Sequence, residues 1–209
     1  VIINGICGQM GRAVYAAIQA QSGAFSAVAG VDPFDCANAY ACPVYKTLDE
    51  VKELADVIID FSIPASTPEI LRFALERKIP AVIGTTGLGE RELKLIRSAS
   101  EQVAMFQTGN MSLGVNLQVE LVQHAASTLG ASFDVEIIET HHRKKVDSPS
   151  GTALMLANAV ASISPEDEEL VFGRHEKNKR RTENEIGIHS VRGGTVVGEH
   201  QVQFIGNDE

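Results

Sequence analysis

The chain has 209 residues, 44% of them hydrophobic, and a formal net charge of -9. That is enough apolar material for a core divided into one or two domains, and the acidic balance works against non-specific binding to nucleic acid. No apolar run approaches the length of a membrane span and no signal peptide is visible; Cys7, Cys36 and Cys42, an odd set without a CxxC pair, read as free thiols of a cytoplasmic protein.

Residues 1–4 form a short apolar strand that begins at once, so the N-terminus looks incomplete. Gly5-Ile6-Cys7-Gly8-Gln9-Met10-Gly11-Arg12 follows, with glycines at the GxxGxxG spacing, before a helical pattern to about residue 20. Gly5 permits a tight turn, Gly8 close approach of a pyrophosphate, and Gly11 close packing of helix on strand, while the amides of Gln9, Met10, Gly11 and Arg12 lie where a helix start holds phosphates. Taken alone, such a turn is also compatible with a purely structural role. The next strand, residues 25–31, ends at Asp32, 21 residues beyond Gly11, where a carboxylate accepts from both hydroxyls of an adenine ribose and repels a 2'-phosphate. NADH is therefore favoured, with NADPH left open because Arg12 is within reach of a phosphate; as a turn residue before Pro33, Asp32 has a second reading.

Residues 43–45 read as a minor extended piece and residues 48–54 as a short helix. Val57-Ile58-Ile59-Asp60-Phe61 is a central strand apolar on both faces. A helix to about residue 76, a strand at 81–83, a helix over 93–99 and a strand at 103–107 continue the alternation, which predicts a parallel sheet with right-handed crossovers. Phe61-Ser62-Ile63-Pro64, beside the nicotinamide end of a cofactor, and Gly84-Thr85-Thr86-Gly87 then fall at the carboxyl edge as ligand contacts; each, taken alone, also reads as a turn. Gly109-Asn110-Met111-Ser112-Leu113-Gly114-Val115-Asn116 reads as a crossing between a dinucleotide-binding domain (residues 1–108) and a second domain (residues 109–209), and as a hinge for closure. Ser112 or Asn110 caps a helix that carries Leu117, Leu121 and Val122.

The second domain starts with that helix, where His124 is isolated and structural, and a strand at 133–138. Glu139-Thr140-His141-His142-Arg143-Lys144-Lys145 follows, then Asp147, Pro149 and Ser150-Gly151-Thr152 at the start of a helix over 153–163. Two imidazoles, three fixed cations and a helix N-terminus make an anion-binding surface with a titratable proton donor. Lys145 with the amides of Ser150, Gly151 and Thr152 suits carboxylates; the flanking cations work against a metal, and also against keeping a histidine protonated unless a bound anion offsets their field. Nine of the 18 Lys/Arg residues lie between Arg143 and Arg192, a local basic site suited to a small anion. The acidic residues 166–169 face solvent, and the basic run 174–181 lacks the aromatic interleaving of a nucleic-acid surface. Residues 186–192 and 196–204 read as an antiparallel hairpin on an open mixed sheet, His189 and His200 as sheet or interface residues, and Arg192 as either a substrate contact or an acid's partner. Residues 206–209 look like a turn after which another element follows.

These segments closely resemble the dihydrodipicolinate reductase (4-hydroxy-tetrahydrodipicolinate reductase) family of lysine and diaminopimelate biosynthesis. The resemblance covers essentially the whole chain and is most specific from Glu139 through Lys145, Asp147, Pro149 and Ser150-Gly151-Thr152, supported by Gly5 to Arg12, Asp60-Phe61-Ser62, Gly84 to Gly87, Asn110 to Asn116 and Ile188 to His200. It implies an α/β fold, with a Rossmann-like parallel-sheet domain followed by an α+β domain with an open mixed sheet. It implies His141 as general acid, Lys145 as principal cation for a cyclic dicarboxylate, His142 as a hydrogen-bonding partner, and Gly151 with Thr152 as the grip on a carboxylate. Family members use NADH, NADPH or both, many are homotetramers joined through second-domain sheets, and a further C-terminal segment normally returns to the first domain. Arg143 and Lys144 stand where the family varies. Another two-domain dehydrogenase and a non-catalytic NAD-binding sensor are the alternative readings.

Overall fold

In a computed structural model of the chain, described at every residue except Ser22, Pro165, Glu166, Lys177, Asp208 and Glu209, the backbone divides into two compact units, Val1–Gly109 and Asn110–Glu209. The first is built on strands β1 (Ile2–Asn4), β2 (Ala29–Val31), β3 (Val44–Tyr45), β4 (Ile58–Asp60), β5 (Ala81–Ile83) and β6 (Met105–Gln107), all parallel, in the order β3-β2-β1-β4-β5-β6. Strand alternation explains why the central strands read as unbroken apolar runs. Ile2, Ala29 and Ile58 face one layer with α2 (Thr67–Arg77) and α3 (Glu90–Ser100), whereas Ile3 and Ile59 face the other with Ile18 of α1 (Gln9–Ala20). The strand order reverses between β1 and β4, so the carboxyl ends of these strands flank the crevice where open α/β sheets bind ligands.

Three local expectations change here. The second strand is shorter than residues 25–31, with Phe25 exposed before it, and the predicted helix at 48–54 is a single 3-10 turn, Leu48–Glu50, whose buried Leu48 anchors it to the core. The free-thiol reading is also corrected, because Cys7 and Cys36 form a disulfide that links the glycine turn to the loop after β2; Cys42 is free and buried.

The second unit packs α4 (Leu113–Leu129) and α5 (Gly151–Ala161) on a four-stranded mixed sheet of β7 (Asp134–His141), β8 (Glu169–Phe172), β9 (Glu185–Arg192) and β10 (Glu199–Ile205), in the order β10-β7-β9-β8. Val122 of α4, Leu156 and Val160 of α5, and Val135, Ile137, Ile186 and Ile188 of the sheet form its core, whereas Leu117 and Leu121 are exposed. Ser112 caps α4, accepting from the Val115 amide at 3.4 Å. Among the described residues no helix is long and apolar enough to cross a membrane.

The expected hairpin is not formed. β9 runs parallel to β7 and β10 antiparallel to it, one on each side. A tight hairpin needs a connection of a few residues, whereas residues 193–198 carry the chain across the end of β7, tied there by Gly193 N to His141 O (3.0 Å) and Arg143 N to Gly194 O (3.3 Å). β8 was not anticipated: Glu169 belongs to this edge strand, while Glu166, expected in the same solvent-facing acidic run, lies outside the described residues, as do Pro165 at the expected helix end, Lys177 in the basic run, and Asp208 and Glu209 in the expected final turn. Arg174 and Arg181 of the basic run pair with Glu136, Glu185 and Asp134 on the sheet.

Candidate active site

In the first unit the glycine turn is shaped by two close approaches. Gly5 has φ +79°, and a Cβ there would lie 2.6 Å from the Phe61 carbonyl oxygen; at Gly11 one would lie 2.6 Å from the Ile6 Cα. Only hydrogen fits at either position. Gly8 is the N-cap of α1, Gln9, Met10 and Arg12 are exposed on the first turn, and the turn closes with Gly8 N to Gly5 O at 3.1 Å. Asp32 is buried, and its carboxylate accepts from the Cys7 amide (2.9 Å) and the Phe34 amide (3.0 Å). The Arg12 guanidinium bends back to the Cys7 carbonyl at 2.9 Å. Gly5, Gly8, Arg12, Asp32, Phe61 and Ser62 line a groove of about 580 Å³.

Behind this groove Asp60 is fully buried at the end of β4. It accepts from Asn4 Nδ2 (2.8 Å), Ser62 N (3.1 Å), Ser62 Oγ (2.6 Å) and Thr85 Oγ1 (2.6 Å). The Thr85 hydroxyl therefore points into this cluster, while Thr86 is exposed and the Gly84 amide closes on the Asp60 carbonyl at 2.8 Å. The orphan amides of a helix start, a turn too tight for side chains and a buried acceptor at the end of the next strand fit a dinucleotide.

In the second unit β7 runs three residues beyond its expected end, so His141 is its last residue. Alternation places Val135, Ile137, Glu139 and His141 on the helix-covered face, and all four are buried. A buried carboxylate is costly unless it is paired, and Glu139 has four donors. Arg192, in register beside His141 on β9, grips it with Nη1 to Oε2 at 2.7 Å and Nη2 to Oε1 at 2.6 Å; the Ser150 amide reaches Oε1 at 3.1 Å and His141 Nδ1 lies 2.5 Å from Oε2. Burial pushes this carboxyl up, but the bonds from Arg192, Ser190, His141 and the Ser150 amide outweigh it and bring the pKa down to about 2. The charge in contact with His141 is thus a carboxylate, not the cations expected from the sequence.

Ser150 caps α5, its Oγ accepting from the Ala153 amide at 3.1 Å and lying 2.8 Å from His200 Nε2. Its own amide is taken by Glu139, which leaves Gly151 and Thr152 as the first-turn residues whose amides have no acceptor within the helix. Thr152 Oγ1 accepts from Asn110 Nδ2 at 2.9 Å. Lys145 pairs with Asp147 at 2.7 Å, and the Asp147 carboxyl, which burial raises, is held below its ordinary value chiefly by that ammonium. His142 is half-buried directly after β7, and its carbonyl accepts from Lys145 N at 3.1 Å, closing the turn that carries the lysine. The His200 ring stands edge-on to His141, with centroids 5.1 Å apart; burial, then the neighbouring His141 charge, lower its pKa.

His141, Lys145, Ser150 and Thr152 therefore gather at one end of the second sheet, as the linear motif suggested. Three further residues share the spot: Glu139, which stood in the motif without a role; Arg192, expected as a substrate contact or an acid's partner and found paired with Glu139; and His200, expected only as a sheet or interface residue. The alternation that places Val135 and Ile137 in the core extends to Glu139 and marked it as a buried acid; Arg192 and His200 arrive only through the crossover around β7.

The family description "Dihydrodipicolinate reductase, N-terminus" matches residues 1–111 and "Dihydrodipicolinate reductase, C-terminus" residues 114–209. The chain belongs to the dihydrodipicolinate reductase family. It is 50% identical over 213 residues to 4-hydroxy-tetrahydrodipicolinate reductase of Caldanaerobacter subterraneus subsp. tengcongensis, with 100% of this chain and 82% of the relative covered. The enzyme of the same name from Clostridium tetani is 40% identical, with 100% and 81% covered. Among solved structures, a dipicolinate-bound dihydrodipicolinate reductase from Paenisporosarcina sp. TG-14 superposes with a TM-score of 0.68 at 27% identity, covering 100% of this chain and 83% of that one.

Proposed function

We propose that residues 1–108 hold the dinucleotide and residues 109–209 the cyclic dicarboxylate of one reductase reaction, with the roles divided residue by residue. The chain is an NAD(P)H-dependent oxidoreductase that reduces dihydrodipicolinate, formed from its 4-hydroxy precursor, to tetrahydrodipicolinate in lysine and diaminopimelate biosynthesis. Gly5, Gly8 and Gly11 give the diphosphate room, and the amides of Gln9, Met10, Gly11 and Arg12 donate to it. Each Asp32 carboxylate oxygen accepts one amide and keeps a lone pair for a ribose hydroxyl, which favours NADH over NADPH. Phe61 and Thr86 line the nicotinamide end, and Gly84 and Thr85, packed on Phe61 and bonded to Asp60, hold that wall from behind. When bound, the reduced nicotinamide supplies a hydride.

On the substrate side Lys145 exchanges Asp147 for one ring carboxylate, and the Gly151 and Thr152 amides with the Thr152 hydroxyl fix the other, orienting the ring. His142 and Ser150 complete the polar wall. His141 delivers from Nε2 the proton that balances the incoming hydride. The observation that carries this reading is the meeting, at one strand end, of a buried imidazole, a lysine and a capped helix start. We further read the enzyme as a cytoplasmic homotetramer assembled through the second-unit sheets, on which Phe172, Val191 and Ile205 are exposed.

The test is steady-state oxidation of NADH and NADPH with freshly generated 4-hydroxy-tetrahydrodipicolinate, in the wild type and in Asp32→Ser. Turnover with a higher kcat/KM for NADH, and a preference that narrows in the variant, is expected. An unchanged preference removes Asp32 as its source, and no oxidation with either cofactor by a folded protein removes the substrate assignment.

A further inference from the structure

The two nitrogens of His141 are in different situations. Nδ1 lies 2.5 Å from a carboxylate that is fully buried and held by a bidentate arginine and a backbone amide. An ionised carboxylate only accepts hydrogen bonds, so the hydrogen between the two atoms belongs to Nδ1 in either charge state of the ring. Proton exchange is then confined to Nε2. That edge is kept open by Gly198, where a Cβ would lie 2.8 Å from Nε2 and 3.1 Å from Cδ2 of the imidazole. The neighbouring His200 has its own Nε2 engaged by Ser150 Oγ at 2.8 Å.

We propose that Glu139, clamped by Arg192, is a positioning residue of the reductase: it fixes His141 as the Nδ1–H form and presents Nε2, past Gly198, as the atom that gives up the proton. The inference rests on reading His141 as the proton donor and adds which nitrogen acts and what holds it. Glu139 touches neither substrate nor cofactor in this account and acts through the imidazole. The clamp comes from a different strand, and Arg192 Nη2 also donates to the Asp147 carbonyl at 2.7 Å, which ties it to the loop that carries Lys145. A carboxylate serving only to join β7, β9 and the start of α5 would make the same bonds, so the test needs readouts that such a role does not move.

The first readout is taken on the wild-type protein. In protein labelled with 15N at the histidine rings and observed at alkaline pH, where imidazoles are neutral, His141 is assigned by loss of its signals in His141→Gln. A pyrrole-type Nδ1 and a pyridine-type Nε2 are expected; the opposite tautomer overturns the proposal even if every Glu139 variant misfolds. The second readout is turnover of dihydrodipicolinate with NADH by Glu139→Gln, His141→Gln and the double variant. Glu139→Gln is expected to lose roughly 10²-fold in kcat, at the low end of general acid–base contributions, with little change in KM for dihydrodipicolinate. The double variant is expected to be no slower than His141→Gln, because one residue acts through the other. Glu139→Asp, which keeps the charge, recovers part of the loss. Full activity of Glu139→Gln beside a crippled His141→Gln, or losses that multiply in the double variant, overturns the positioning role alone. An undiminished His141→Gln overturns the proton-donor reading on which it rests.

Discussion

Asp60 and Glu139 are both completely buried carboxylates near the carboxyl ends of strands, yet their surroundings differ in kind. Every donor to Asp60 is neutral: the Asn4 amide, the Ser62 amide and hydroxyl, and the Thr85 hydroxyl. Those donors come from the end of β1 and the turns after β4 and β5, so Asp60 staples three adjacent strand ends and, among the described residues, has no titratable partner. Glu139 is met instead by a guanidinium and an imidazole, together with the Ser190 hydroxyl and the Ser150 amide. The first arrangement can only hold shape. The second holds shape and also leaves a ring nitrogen, Nε2, to exchange a proton. Burial alone therefore does not mark an acid as catalytic machinery; the chemistry of its donors does.

Substitutions should separate the two clusters by the kind of loss as well as by its size. His141→Gln is expected to lower kcat roughly 10²- to 10⁴-fold with little effect on unfolding, the range of general acid–base catalysis; an equal loss in Tm-matched stability with full kcat would place His141 with Asp60 as a structural group. Arg192→Met leaves Glu139 buried without its main counter-charge and is expected to cost about 3–5 kcal/mol of stability, measured by urea unfolding. The same variant moves the acid limb. With its pKa lowered from 4.5 to about 2, Glu139 contributes stability that is complete above the ordinary carboxylate range and is lost as pH falls from about 4.5 toward 2. Without Arg192 the folded-state carboxyl moves back up toward its ordinary value, so the window between the two states narrows and the acid-limb loss shrinks; an unchanged acid limb would show that the clamp does not set the charge. Asp60→Asn is expected to cost about 1–3 kcal/mol, the penalty of an unsatisfied buried donor or acceptor, and to raise KM for NADH more than it lowers kcat. The smallest effect belongs to His200. Its pKa lies below the ordinary 6.5, so the unfolded chain takes up the proton first and stability declines as pH drops below that value. His200→Gln should flatten this slope in unfolding measured between pH 5 and 7.

Much of the fold is readable because parallel strands buried on both faces leave near-continuous apolar runs, as at Ile58 and Ile59, and because glycine spacing reports where backbone must approach backbone, as at Gly5 and Gly11. Pairing partners are not written in the same way. The alternation in β9 and β10 specifies which face is buried but not which strand lies beside which, so two strands on either side of β7 look like a hairpin. β8 is only four residues at the sheet edge and follows an acidic run, which hid it. The disulfide escaped for a similar reason, since 29 residues separate Cys7 from Cys36 and only the return of the chain past the glycine turn brings them together.

The site divides along the same line. Residues close in sequence, from His141 to Thr152, announce an anion-binding, proton-donating surface through composition. Glu139 belonged to that stretch and its place on the buried face followed from Val135 and Ile137, but its role needs Arg192, which is 53 residues away. His200 reaches Ser150 across 50 residues. Long-range partners decide which of several polar groups is held still and which is left free to react.

The most direct test of the account is the rate of NADH oxidation by Lys145→Ala against the wild type over a range of dihydrodipicolinate concentrations. The expected result is loss of kcat/KM for the dicarboxylate by at least roughly 10²-fold, as for removal of a buried charge partner, with NADH affinity unchanged. Wild-type kcat/KM in a folded Lys145→Ala protein would contradict the assignment of this stretch as the dicarboxylate site.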